Sequence, residues 1–479
     1  MSHSLTITVA LLLPALGALV VALCGRWPNV RDAATLVVST LTFLCVCTLV
    51  PAVQSGIQPI LHVFDILPGL PLLFQIEPLG MLFALVASGL WILTSLYAIG
   101  YMRGHHEENQ TRFFAFFAVA ISAALAAAFS GNMLTLFFSY EVLTLSTYPL
   151  VTHHRTPEAL RAGRVYMGIL LSTSIGLLLL GVILTYHVAG TLSFVPGGIL
   201  AGHATPLMTG ILLFLYAYGT GKAALMPIHR WLPNAMVAPT PVSALLHAVA
   251  VVKTGVFTIV KVVVYIFGIE HLSSTGFNMY LAYAAATTVL LASIIAMTQD
   301  NLKARLAYST ISQLAYIVLG AALANANGII GASMHIAMHA CGKITLFFCA
   351  GAIMVALHKT EISDMRGIGR QMPFTMAAFT IGALSIIGVP PLGGSWSKWY
   401  LALGAADTGH LVLVAVFMLS SLLNIAYLLP IAARAFFSTG DDGHHEGLHE
   451  APLLCLVPLC LTALGCIALF FFADPLYKL

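Results

Sequence analysis

Runs of about 20 apolar residues recur from one end of this 479-residue chain to the other, each long enough to cross a ~30 Å hydrocarbon core as a helix. Fourteen such runs can be placed, from Leu5–Cys24 to Ala451–Phe472. Inside lipid every backbone N–H and C=O has to be paired within the protein, so segments of this kind are expected to be helical. With 59% apolar and 8% charged residues and a mean hydropathy of +0.97, no soluble domain accounts for the chain. The predicted fold class is an all-α polytopic membrane protein with about 14 transmembrane helices. The first run has no basic leader and no small-residue cleavage site, and it is expected to be a retained helix and not a secretory signal.

Basic residues set the expected orientation, because short cytoplasmic loops collect Lys and Arg. Fourteen of them, from Arg26 to Arg434, fall in loops and helix ends of one side, whereas the other side carries Lys261 and Lys478. That asymmetry places both termini outside a bacterial inner membrane. The longest connections, Pro51–Glu77 and Phe436–Glu450, are too short for a redox or nucleotide-binding domain. The eight cysteines are scattered along apolar runs without a CxxC pair, and cluster ligation needs grouped cysteines. No cofactor or metal is therefore expected in this chain, and no nucleic acid partner. Two loop clusters, His105, His106, Glu107 and Glu108, and Gly443, His444, His445, Glu446 and His449, are too irregular for a metal site and read as solvated surface.

Five charges sit deep inside the apolar runs: Glu141, Lys222, Lys253, Lys343 and Lys398. A charge at the bilayer centre costs roughly 2.5–3.5 kcal/mol or more, so buried ones mark ion or proton routes. His335, His339 and Lys343 recur every fourth residue and share one helix face over about 12 Å. Histidine titrates near neutrality and suits a shuttle, and His247 precedes Lys253 on the eighth run. A carboxylate and an amine about 4 Å apart attract by ~4 kcal/mol at an effective dielectric near 20. That exceeds the ~2.3 kcal/mol per charge that opposes movement across 100 mV, so opening and closing a pair such as Glu141 and Lys222 could drive a proton along the row.

Two runs are interrupted. After Lys222 come Pro227, Pro233, Pro239 and Pro241, and Gly388, Val389, Pro390, Pro391, Leu392, Gly393 and Gly394 lie just before Lys398. Proline removes a backbone donor, so the seventh and twelfth helices are expected to be broken. They lie five helices apart, an odd number, which inserts repeated units in opposite senses.

The stretch GTGKAALMPIHRWLPNAMVAPTPVSALLHAVAVVKTG from Gly219 to Gly255, with SYEVLTLSTYPLV around Glu141, HIAMHACGKITLFF around Lys343 and GVPPLGGSWSKW around Lys398, resembles the antiporter-like membrane subunits. That family is shared by respiratory complex I, Mrp-type cation/proton antiporters, and membrane-bound hydrogenase and formate hydrogenlyase complexes. The resemblance implies two inverted five-helix repeats, helices 4–8 (residues 112–268) and 9–13 (residues 269–436), with broken helices 7 and 12, between an N-terminal part (1–111) and a C-terminal loop and helix (437–479). It assigns proton translocation to Glu141, Lys222, Lys253, Lys343 and Lys398, with His247, His335 and His339 as relays. The expected route runs through Lys253, His247, His339 and Lys343 and out by Lys398. Asn234 and Trp399 stand where many relatives carry acids, and the lack of a long lateral helix after the fourteenth run favours a shorter type of subunit. Implied partners are further antiporter-like and small membrane subunits, lipids, and redox subunits on the cytoplasmic side. Besides a purely structural role in the membrane, two functions stay open. One is a proton-translocating module of a redox-driven complex, and the other is a subunit of an Mrp-type sodium/proton antiporter without redox chemistry. Any enzyme label would come from the assembly.

Overall fold

The protein is described by a computed structural model covering residues 2–438 and 447–478. Most of the His444-containing loop cluster lies outside those residues. Among the described residues, eleven helices are long and apolar enough to cross a membrane. The tenth passage, Leu302–Ala322, and two passages built from shorter pieces bring the bundle to fourteen. The two broken passages are the seventh, Pro206–Gly219 followed by short turns to Val237, and the twelfth, Pro373–Ile387 and Gly394–Asp407. Both breaks fall where the prolines and glycines put them.

Helix starts are fixed locally. Asn132, Asn301 and Asn325 each turn a side-chain oxygen onto a backbone N–H three residues on, at 2.8, 3.1 and 2.8 Å, which satisfies donors that a helix N-terminus leaves open. Burial then sorts the passages. The eighth, Thr240–Phe267, is almost wholly enclosed, while the first, second, sixth, thirteenth and fourteenth bury only about a third of their residues and face outward. A chain in which the most enclosed helix carries His247, Lys253 and Lys261 keeps its ionisable groups at the centre of the bundle.

The loops collect at two ends. At one, Arg112 donates to the His153 carbonyl (2.7 Å), Lys303 to that of Ala238 (2.7 Å), and Asn301 to Glu361 (2.9 Å). The basic loop residues gather here. The other end carries a feature with no counterpart in the sequence reading, an antiparallel hairpin of Ile60–Leu67 and Leu70–Gln75. It is tied to the turn between the fourth and fifth helices by Gln75 N–H to Phe129 O (2.7 Å) and Gly131 N–H to Leu73 O (2.9 Å).

Lys261, counted above as a basic residue of the outward side, lies within the eighth passage with no exposed surface, 2.7 Å from Glu77, so it is a buried ion-pair partner and not an orientation signal.

Candidate functional site

The seventh helix stops at Gly219, and the chain passes through a tight turn, Gly221–Ala223, before Ala224 adopts a left-handed conformation (φ 55°). The opened turn exposes carbonyls in the bundle interior, and Trp231 Nε1 donates to the one on Gly221 at 3.0 Å. Lys222, fully buried, donates through Nζ to the Tyr140 carbonyl at 2.8 Å and to Thr144 Oγ1 at 2.5 Å. Its ammonium also lies 3.1 Å from the centre of the Tyr140 ring. The eighth helix passes so close that a Cβ on Gly255 would meet the Lys222 carbonyl carbon at 2.4 Å, so only glycine fits there.

The expected closed pair between Glu141 and Lys222 is not made. Among the described residues no ion pair joins them within 4.0 Å, and Glu141 Oε1 is buried without a hydrogen-bond partner. The reason is helical geometry. Tyr140 and Thr144, four residues apart, present one face to Lys222, while Glu141 points about 100° away from Tyr140. The structure holds the open arrangement of a neighbouring acid and amine.

At the centre a continuous polar line runs from the eighth helix onto the eleventh. Lys253 Nζ lies 2.6 Å from His339 Nδ1. The His339 ring is 5.7 Å from that of His335. His335 in turn contacts Ser397 Oγ at 2.8 Å and Gln313 Oε1 at 3.1 Å and stacks on Tyr316 at 5.7 Å. Tyr316 also faces Lys398, whose ammonium is 4.9 Å from the ring centre. Lys398 donates to the Ile387 carbonyl at 3.0 Å and to Ser421 at 3.1 Å. Ile387 ends the first half of the broken twelfth helix, where unpaired carbonyls carry partial negative charge. Gly388 makes the bend at φ +91°, and a Cβ there would meet the Lys398 side chain at 2.7 Å.

Lys343 stands apart from this line. It donates to Ser309 Oγ at 2.6 Å, the Ser309 hydroxyl lies 2.9 Å from that of Tyr427, and Tyr427 donates its one proton to Asn424 Oδ1 at 2.5 Å. At the eleventh helix the side-chain contacts divide: His339 and His335 continue toward Tyr316 and Lys398, and Lys343 contacts Ser309 beside Tyr427 and Asn424. His247 lies in a single π-turn, Leu245–Val249, a feature frequent at functional sites. Both its ring nitrogens are buried without a partner, and its ring packs 4.7 Å from Phe347.

Several polar residues of the site carry no sequence signal of their own. Gln313, Ser309, Ser397, Tyr316 and Tyr427 are residue types found on any helix. Their placement opposite the basic residues depends on how the tenth, twelfth and thirteenth helices cross the eleventh. The Glu77–Lys261 pair had a signal, an acid capping the third helix and a lysine eight residues beyond Lys253. Glu77 Oε2 accepts from Gly80 N–H at 2.7 Å, and Lys261 also donates to the Ser130 carbonyl at 2.7 Å. In the loop cluster His105–Glu108, His106 and Glu108 are exposed as expected, but the Glu107 side chain is only 6% exposed, with His105, His153 and His154 around it, which corrects the solvated reading at that residue.

A fourteen-passage bundle with two broken helices and a buried row of amines and imidazoles defines a class of ion-handling membrane protein. Residues 130–424 match the family model described as NADH:quinone oxidoreductase/Mrp antiporter, TM, and residues 69–114 match that of NADH-Ubiquinone oxidoreductase (complex I), chain 5 N-terminus. The chain belongs to this antiporter-like membrane subunit family. It is 33% identical over 418 residues to an NADH-quinone oxidoreductase subunit N of Desulforudis audaxviator (strain MP104C), covering 84% of this chain and 82% of that one. Several other curated relatives are longer, and the chain spans 43 to 66% of their length. Among solved structures it resembles a chain of the membrane-bound sulfane sulfur reductase, an archaeal respiratory membrane complex, with a TM-score of 0.86 at 26% identity over 98% of this chain and 95% of that one. The fold is shared with a chain of the Mrp complex from Dietzia sp. DQ12-45-1b, with a TM-score of 0.87 at 21% identity over 100% and 96%.

Proposed function

We propose that this chain is a proton-translocating subunit of a larger membrane assembly whose redox chemistry resides on partner chains. The observation that carries the reading is the link from Lys253 to His339 at 2.6 Å, continued by His335, Tyr316 and Lys398. One amine–imidazole hydrogen bond, followed by titratable and polar side chains at 4.9–5.7 Å ring spacings inside an apolar bundle, is a row that water can bridge for proton transfer.

Protons are taken up from the basic, cytoplasmic end near the seventh and eighth helices. They pass horizontally through His247, Lys253, His339 and His335, and leave outward past Lys398. Glu141 and Lys222 act as the switch that opens and closes, and Lys343 with Ser309 and Tyr427 forms a side branch. Residues 112–268 and 269–436 form the two inverted halves, and both termini lie on the outer side. Kinship with a component of a quinone oxidoreductase and with a chain of a respiratory sulfur reductase complex favours redox coupling. A Rhizobium meliloti (strain 1021) relative, 31% identical and described as a component of a probable K(+)/H(+) antiporter, supports the alternative of gradient-driven exchange.

The test is to purify the assembly through a tag on this chain and reconstitute it in vesicles with a pH-sensitive dye. Proton movement on adding an electron donor for co-purified redox subunits supports the first reading. Movement only under an imposed sodium or potassium gradient selects the second. No proton movement under either drive rejects both.

A further inference from the structure

At the basic end, the loops after the third and fifth helices bring Glu107 against three histidines. His105 Nδ1 lies 3.1 Å from Glu107 Oε1, and His154 Nε2 and His153 Nε2 lie 3.1 and 3.7 Å from Oε2. Such a cluster is more than a solvated loop requires, since the side chains of Glu107 and His153 are 6% and 2% exposed. The four do not form a metal-holding arrangement. Three of them, His105, Glu107 and His154, border a cavity of about 180 Å3 whose wall also includes Lys303, Lys359 and Thr240, and His153 packs against Glu107 from behind that wall.

Thr240 begins the eighth passage, and Ser243 and His247 follow it on one helix face, three and seven residues on. All three are buried. Ser243 Oγ and both nitrogens of His247 have no hydrogen-bond partner among the described residues. Buried polar atoms left open by the protein are ordinarily met by water. The helix face thus offers hydratable groups from the cavity toward Lys253, about 20 Å along the axis from Thr240.

We propose that Glu107, His105, His153 and His154 form a proton-collecting station, with His154 the loaded group and Glu107 its counter-charge, that feeds the buried axis through Thr240, Ser243 and His247. The inference rests on the proton-translocating reading and adds to it a defined point of uptake.

Electrostatics at the cluster agree with these roles. The hydrogen bond to Glu107 is the main cause that raises His154 above the ordinary histidine range. Burial works against the ionised Glu107, but the hydrogen bond and charge of His154, with the hydrogen bond from His105, outweigh it and hold the carboxyl below its usual range. Burial pushes His153 down to about 4, so it stays neutral. The other groups facing the pair are His105, Lys303, Lys359 and Tyr101. Arg112 with Arg155 stands behind His153, and His358 beside His105.

Proton supply limits turnover when the bulk is alkaline. A histidine whose loaded form is stabilised by Glu107 stays occupied to higher pH at the mouth, which keeps a proton ready for the axis when the bulk is alkaline. In vesicles carrying the purified assembly, proton uptake is measured from pH 6 to 9 for the wild type, Glu107→Gln, Glu107→Asp and Lys253→Met. Returning His154 toward its ordinary range should leave uptake by Glu107→Gln close to wild type at pH 6 and lower it at pH 8, so that the alkaline limb moves to lower pH, with Glu107→Asp restoring it. A wild-type profile for Glu107→Gln, an equal loss at every pH, or failure of Glu107→Asp to restore it overturns the station. Lys253→Met should stop uptake at every pH; if it does not, the buried axis itself is wrong, whatever Glu107→Gln shows.

Discussion

Lys253 Nζ and His339 Nδ1 meet at 2.6 Å between the eighth and eleventh helices, and at that distance one nitrogen donates while the other accepts. Two positive charges 2.6 Å apart would repel by about 6 kcal/mol at an effective dielectric near 20. The pair therefore carries at most a single charge, and a second proton arriving at Lys253 has to drive a first one onward to His335. Proton conduction in this account is a succession of such displacements.

The fork at the eleventh helix makes the two branches unequal. His335→Ala removes the step between His339 and Tyr316 and should lower proton flux by about 10²-fold or more, the range typical for loss of a proton-transfer group. Lys343→Met, on the branch to Ser309 and Tyr427, should cost about tenfold or less on the same scale. Flux per assembled complex in reconstituted vesicles measures both. Equal losses would restore Lys343 to the main line.

Thr144 holds Lys222 in the open position through a 2.5 Å contact. Thr144→Val removes that acceptor, worth about 1.5–3 kcal/mol for a bond to a charged group, and should let the ammonium turn to Glu141. A structure of the variant should show the two within about 4 Å, the reach of an ion pair, and flux should fall. An unmoved Lys222 would mean that the helix geometry, and not Thr144, keeps the pair apart.

Glu77 and Lys261 form a fully enclosed pair, with the Lys261 ammonium 4.6 Å from the centre of the Phe194 ring. Removing one partner strands a buried charge, at a cost of about 3–5 kcal/mol, while replacing both by apolar residues is often neutral. Glu77→Leu and Lys261→Met should each lower thermal stability of the purified chain or its assembly. The double variant should recover most of it.

The loops around Glu107 should have a pH optimum of local order. Glu107 lies below its reference of 4.5, so its contribution is complete above that value and lost as pH falls through the lowered one. His154 lies above its reference of 6.5, so its contribution is complete below 6.5 and lost as pH rises through the raised value. Protection of amide hydrogens in residues 105–109 and 152–156, taken relative to the intrinsic exchange rate at each pH, should be greatest between pH 4.5 and 6.5 and fall on both sides. Glu107→Gln should remove that maximum.

Much of this architecture was legible in the sequence because it rests on local chemistry. Length and apolarity mark the membrane passages, and prolines with Gly388 mark the breaks. The i, i+4 spacing of His335, His339 and Lys343 marks a shared face. Side-chain engagement was not legible. Glu141 stands one residue from Tyr140, and a rotation of about 100° decides whether Lys222 meets an acid or a carbonyl. Lys261 looked like a helix-end lysine because its partner, Glu77, lies 184 positions earlier in the chain. Glu107 looked solvated because two of the histidines that cover it, His153 and His154, come from a different loop.

Proton flux measured alongside partner activity in vesicles, for Lys253→Met, His339→Ala and the double variant, decides whether this pair is an obligatory transfer step. Each single variant is expected to stop proton movement while the assembly stays intact, and the double variant to be no worse than either, since both belong to one transfer step. Full proton movement by either single variant, or additive partial losses, would contradict it.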